Sequence, residues 1–311
     1  MDTSLAITLD ALRAAQALSL RTGSAPRVTL RTIAVKTHIT TGAGLRFSAD
    51  ATLRNAELDA GASDWIIVPG LGLRSAEEIT GRFNKTDAVN AIRWLRQVAT
   101  GKVNIAASCS AVFLLAQAGL LSGRRATMTW WLASAFRTRY PDVLLDEAKM
   151  LVRDGRILTA GAALSQLDLI LAVITDVMGA SVAHLCSRYL LIDQRPSQAR
   201  YMMHTHLLHE DATVIAAERW IDANLGNPIT VKALSSQLAV SAKTLGRRIE
   251  AATGISPIKF IQRRRLTQAA HLLETTALSI EAIAAQVGYR DGTALRKLVK
   301  REFGINPTAL R

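Results

Sequence analysis

Within its last eighty or so residues the sequence says nearly the same thing twice. The first copy is ITVKALSSQLAVSAKTLGRRIEAATGISP, ending at Pro257, and the second is LSIEAIAAQVGYRDGTALRKLVKREFGINP, ending at Pro307. Val231, Leu234, Gln237 and Leu238 map onto Ile280, Ile283, Gln286 and Val287 at an offset of 49 positions. Ser241, Leu245, Gly254 and Pro257 map onto Asp291, Leu295, Gly304 and Pro307 at an offset of 50, so the second copy has one extra residue in its central turn. A repeat of this kind restricts the fold severely, because each copy must form the same supersecondary unit.

Each copy opens with apolar residues at i, i+3 and i+7, the stripe of a short amphipathic helix. A tight turn follows, and then Ser241 or Asp291, side chains suited to capping the amides of a second helix. Gly288 stands where the first helix of the second copy must stop in a left-handed conformation. Helix, short turn, capped helix is the helix-turn-helix unit, whose second helix enters a DNA major groove N-terminus first. Those second helices carry fitting chemistry: Lys243, Thr244, Arg247 and Arg248 beside Ser241 in the first, and Arg290, Thr293, Arg296, Lys297, Lys300 and Arg301 around Asp291 in the second. Arginine bonds bidentately to guanine, while lysine, threonine and serine mostly hold phosphates. Between the copies, residues 257–274 have helical periodicity with proline in the first turn, predicting a rod of roughly 25 Å that separates the two units. Arg263, Arg264 and Arg265 on this rod are expected either to touch the DNA backbone or simply to be solvated.

The rest of the 311-residue chain is long enough for a second domain with its own core. The full sequence carries a net charge of +13, which favours polyanionic partners, and fifteen basic against nine acidic residues fall from Glu210 onward. Cys109 and Cys186 are far apart and form neither a zinc pattern nor a disulfide framework, which fits a reducing cytoplasm. The N-terminal segment lacks the basic start and apolar core of a secretion signal. The apolar stretch Leu169 to Thr175 lies between Asp168 and Asp176, too short to span a bilayer, so no membrane partner is expected. His204, His206 and His209 fall in a polar connection with no clustered Cys, Asp or Glu ligands beyond Glu210 and Asp211, and neither a metal nor a cofactor is expected.

From Arg27 to about Ile192, β-rich runs alternate with amphipathic helical ones, the pattern of a layered α/β domain. Strands are predicted at Val28 to Val35, Trp65 to Val68 and Val103 to Ala107, and helices at Thr86 to Ala99, Ala111 to Ala118, Trp131 to Arg139 and Ser165 to Met178. Val152 to Ala160 reads as a hairpin about Asp154-Gly155. The predicted division is an α/β domain over residues 1–195, a linker over 196–211 and an all-α domain over 212–311. Cys109 falls on a strand-to-helix turn, where a helix N-terminus would lower a thiol pKa. The loop Pro69 to Gly72 could offer amides to an oxyanion beside it.

The segment IAAQVGYRDGTALRKLVKREFGINPTALR, within a match from about Thr213 to Arg311, resembles the DNA-binding domain of the AraC family of transcription regulators. Gly246 inside the first recognition helix, and Ile249 where that family usually has Phe, are small departures. The Cys109 turn and AGLLSGRRATMTWW are similar to the PfpI, glutamine-amidotransferase-like domains that GlxA-like regulators fuse to an AraC-type domain. That resemblance covers most of residues 4–195 and implies a flavodoxin-like sheet, of which the first strand and its acidic residue are missing from this sequence. Such a gap would arise from a misassigned start or an incomplete domain. It implies a ligand pocket near Gly70, Gly72, Cys109 and Thr129. No catalytic residue is expected, because Thr129 stands where the family often has an activating His and Ala111 replaces the elbow glycine. The resemblance implies a cytoplasmic, non-enzymatic regulator, more an activator than a repressor. Its α/β domain would sense a small-molecule effector or form a homodimer, and its tail would bind double-stranded promoter DNA, with RNA polymerase a further partner. Two alternatives stand beside it: a PfpI-type cysteine hydrolase or glyoxalase tethered to DNA, and an architectural protein binding DNA without sequence preference.

Overall fold

The computed structural model describes residues 2–22, 28–56, 61, 63–193, 195, 197–198 and 211–310. Packing divides it into two units, Met1–Leu132 with Tyr140–Arg195, and Pro196–Arg311 with Ala133–Arg139.

The chain opens with α1 (Asp2–Thr22), followed by β1 (Ile33–Ala34), β2 (His38–Thr40), β3 (Arg46–Ser48), β4 (Ala51–Thr52) and β5 (Trp65–Val68). Then come α2 (Ala76–Phe83), α3 (Thr86–Ala99), β6 (Asn104–Ser108), a 3-10 turn at Cys109–Ala111 and α4 (Val112–Gln117). After β7 (Arg125–Ala126), a second 3-10 turn at Trp130–Leu132 leads into α5 (Ala133–Arg139). The α/β part closes with β8 (Leu144–Leu145), β9 (Leu151–Asp154), β10 (Ile157–Ala160), α6 (Ser165–Met178) and α7 (Ala180–Tyr189).

Its main sheet runs β5-β6-β10-β9. Trp65 pairs with Asn104 and Ile157 with Ile105 in parallel ladders, while Ile157 faces Asp154 across the antiparallel hairpin. Ala106, Leu158 and Ala160 are buried against Ala11 and Ala15 of α1, Leu169, Ile170, Val173 and Ile174 of α6, and Val182 and Cys186 of α7. Strand alternation turns Ile105 and Ala107 to the other face, where they too are buried. A layered α/β sheet with a helical covering is therefore the observed architecture. The predicted strand at Val28 to Val35 contracts to Ile33–Ala34, because its ladder partner β4 is two residues long. The predicted helix at Ala111 to Ala118 begins later, at Val112, since the chain leaves β6 through the 3-10 turn.

The second unit is helical: α8 (Ala212–Ala223), α9 (Val231–Gln237), α10 (Ala242–Thr253), α11 (Pro257–Thr275), α12 (Ile280–Gln286) and α13 (Gly292–Phe303), with a final 3-10 turn at Pro307–Leu310. Val214, Ala217, Ile221, Leu234, Leu245, Ile249, Phe260 and Ile261 form one core under α8 to α10. Ile249, in place of the bulkier Phe, is fully enclosed there. The linker histidines His204, His206 and His209 lie outside the described residues. Among those described, no group of three or more His, Cys, Asp or Glu could hold a metal ion. No helix among them is long and apolar enough to cross a membrane.

Candidate nucleic-acid interface

The repeat folds as two matching units. Thr230 caps α9 by accepting from the Ala233 amide, and Ser279 caps α12 from Ala282. Ser241 caps α10 by accepting from the Thr244 amide at 3.0 Å, and Asp291 caps α13 from Ala294 at 2.7 Å. Both side chains are thus spent on holding the helix starts. Gly254 and Gly304 end α10 and α13 in the same left-handed geometry, with φ of 70° and 74°.

Burying Leu245, Ile249, Ala252 and Thr253 on one side of α10 leaves Lys243 and Arg247, one turn apart, exposed on the other. On α13, Leu295, Val299 and Phe303 are buried, and Thr293, Arg296, Lys297, Lys300 and Arg301 are exposed. Arg290 is exposed in the turn before the Asp291 cap. The two faces are unequal. Glu250 is exposed on α10, one turn beyond Arg247, whereas the last turn of α13 exposes Lys300 and Arg301. Helix α11 joins the units over nineteen residues, about 28 Å at the helical rise.

Several predicted groups have partners inside the protein. Arg248 bonds the Thr213 hydroxyl and lies 4.0 Å from Asp211, the cap of α8. Arg296 bonds Glu281 at 2.9 Å, an exposed pair worth little energy that holds the guanidinium at the start of α12. The rod arginines are neither solvated nor free for phosphate. Arg263 pairs with Glu302 at 3.2 Å, and buried Arg264 pairs with Asp222 and lies 3.6 Å from Glu218. Arg265 donates to the carbonyls of Gly288 and Asn227. These three build the fold. Sequence reasoning missed their acidic partners because the nearest lies about forty positions away.

In the α/β unit the strand-to-helix elbow is real. Cys109 adopts φ 55°, a left-handed conformation that β-carbon-bearing residues rarely occupy, and its amide donates to the Gly161 carbonyl at 2.8 Å. The expectation of a lowered thiol pKa is overturned. Cys109 is 1% exposed, and burial pushes its thiol pKa up, outweighing the Ser110 amide and the Thr129 hydroxyl, which favour the thiolate. Gly70 is buried against it: a β-carbon on Gly70 would lie 3.2 Å from Cys109 Cβ and 3.1 Å from Ser4 Oγ. Gly72, with φ 78°, precedes Leu73, whose amide donates to Ser110 Oγ at 3.2 Å. Thr129 is fully buried. Gly70, Cys109 and Thr129 therefore converge in a closed interior, with no histidine beside them among the described residues.

Residues 2–176, more than half of the chain, match the model of the DJ-1/PfpI family. The chain belongs to the DJ-1/PfpI family. Residues 234–311 of this DJ-1/PfpI chain match a helix-turn-helix domain model, so an AraC-type helix-turn-helix domain follows the α/β one. Among curated relatives, the HTH-type transcriptional regulator CdhR of Pseudomonas aeruginosa is 26% identical over 70% of this chain and 65% of its own length. The HTH-type transcriptional regulator GlxA of Rhizobium meliloti is 28% identical over 70% of this chain and 68% of its own. The match thus spans just under two thirds of CdhR. A crystal structure of Drosophila melanogaster DJ-1beta is 18% identical, covering 62% of this chain and 93% of that one, with a TM-score of 0.48. The double resemblance read from the sequence holds.

Proposed function

We propose that the protein is a sequence-specific DNA-binding transcription regulator, in which α10 and α13 read successive major grooves of promoter DNA and the DJ-1/PfpI domain serves as a non-catalytic sensor. The observation that carries this reading is the pair of exposed basic faces, each opened by a capped N-terminus and held at the two ends of α11. Lys243 and Arg247 serve the first groove, and Arg290, Thr293, Arg296, Lys297, Lys300 and Arg301 the second. Ser241 and Asp291 orient the helices, Thr244 shares the Ser241 cap, and Arg248 steadies α10 on the cap of α8. The names of CdhR and GlxA support the regulatory role. The working division is residues 1–195 for sensing, 196–211 as linker and 212–311 for DNA, in a cytoplasmic protein that activates transcription through contact with RNA polymerase.

A cysteine hydrolase is the other reading, favoured by the strained elbow at Cys109. The closed, proton-retaining thiol and the absence of a base at Thr129 weigh against it. Sequencing of genomic fragments captured by the full-length protein tests the proposal, followed by footprinting on the enriched promoters. Discrete enriched sites, whose footprints vanish in a folded R296E/K297E variant, are expected. Uniform capture without preferred sites, or footprints untouched by the substitutions, would overturn it.

A further inference from the structure

Helix α3 carries two stripes. Ala88, Ile92 and Leu95 face the core. Asn90, Arg93, Trp94 and Gln97, at i, i+3, i+4 and i+7, form a second stripe that the core does not use. Together with Leu53 and Arg54 from the end of β4 they line an open groove of about 690 Å³, within the range of small-molecule sites. Cys109, Gly70 and Thr129 take no part in it.

The chemistry of this groove is one-sided. Among the described residues, its lining contains two guanidiniums and no carboxylate. Among the described residues, neither Arg54 nor Arg93 has an acidic partner within ion-pair distance, and the bond from Arg93 goes to the amide oxygen of Asn90 at 3.4 Å. Two cations in one concavity without a counterion among the described residues favour an incoming anion, and a guanidinium fork matches a carboxylate bidentately. Trp94, half-buried among these polar groups, offers an aromatic face beside the charge, and Leu53 adds apolar surface. A bare inorganic anion would use the arginines and leave Trp94 and Leu53 idle.

We propose that the groove between α3 and β4 is a binding site for a small organic carboxylate with an aromatic body, its carboxylate held by Arg54 and Arg93 and its ring lying on Trp94. As a binding site it stands independently of DNA; as the effector site of a regulator it rests on the function proposed above.

Calorimetric titration of the full-length protein without DNA tests the site separately from that function, using phenylacetate, its neutral amide phenylacetamide, and inorganic phosphate as probes. Phenylacetate should bind at millimolar or lower concentration, with the amide and phosphate each at least about tenfold weaker, a difference near 1.4 kcal/mol. The R54Q/R93Q variant, altered only at exposed positions, should weaken phenylacetate at least tenfold and leave the amide unchanged. C109S should change nothing. No binding of phenylacetate at millimolar concentration, equal binding of phosphate, loss of binding in C109S, or full retention in R54Q/R93Q would each overturn the assignment.

Discussion

Arg265 Nη1 donates to the carbonyl oxygen of Gly288 at 3.0 Å, fastening the rod helix to the turn that sets the second recognition helix. Nη2 of the same arginine donates to the Asn227 carbonyl at 2.7 Å, and the guanidinium lies 5.9 Å from the Tyr289 ring centre. Gly288, at φ 78°, leaves no room for a side chain here: a β-carbon would clash with the Leu225 carbonyl and come within 2.8 Å of Arg265 Nη2. Gly288→Ala should therefore destabilise the helical unit by more than about 2 kcal/mol, combining backbone strain with displaced arginine bonds. Urea denaturation of the full-length protein, followed by far-UV circular dichroism, measures it. A change below half that size would mean that the turn is softer than its contacts imply.

The corresponding position of the first unit, 49 residues earlier, is Ala239, held at φ 52°. An alanine in the left-handed region is strained, so Ala239→Gly should gain up to about 1 kcal/mol in the same measurement. The sign is opposite to that at Gly288, although both changes exchange the same two residue types. If both substitutions destabilise, the two turns do not share a conformation.

Arg264 and Arg247 separate fold from interface. Arg264 is buried between Asp222 and Glu218, so Arg264→Ala strands carboxylates and should cost about 3–5 kcal/mol. Arg247 is exposed with no acidic partner among the described residues, and Arg247→Ala should leave the unfolding midpoint unchanged while weakening DNA binding. Gly246→Ala, within α10, should add about 1 kcal/mol, because its β-carbon would meet nothing closer than Pro257 Cγ at 3.8 Å. Comparing the three midpoints with three binding isotherms checks this partition.

Cys109 should behave as a structural thiol. Burial raises its pKa in the folded chain above the ordinary 9.0, and Cys186 is raised in the same way. The folded state then holds protons that the unfolded state has released, so this contribution is intact below pH 9.0 and is lost as pH climbs above it. A thiol-specific dye should label the native protein at the unfolding rate and completely in denaturant. Rapid labelling at neutral pH would reveal an accessible thiolate and revive the hydrolase reading.

Much of this molecule was legible because the repeat and the helix periodicities are local signals. Helices α3 and α6 occupy Thr86–Ala99 and Ser165–Met178 as their apolar spacing predicts, and the Asp154-Gly155 turn makes its hairpin. What stayed hidden depends on partners distant in sequence. Three consecutive arginines on α11 look like a solvated face until Asp222, Glu218, Glu302 and two carbonyls are brought to them. The elbow at Cys109 suggested an activated thiol from its position at a helix start. Enclosure decided otherwise, because desolvation of a fully buried sulfur exceeds what an adjacent amide returns. Ala239 could be found only by carrying the Gly288 argument back across the repeat.

The central claim is most directly tested by base-resolution interference footprinting of the full-length protein on a captured promoter fragment. Two patches of major-groove contact are predicted on one side of the duplex, centred about 34 Å, or one helical turn, apart. R247E should erase one patch and K297E the other, and each lost phosphate contact should lower the salt dependence of binding by about one unit of slope. A single patch, two patches erased together by either substitution, or no affinity for duplex DNA at low salt would contradict paired reading by α10 and α13.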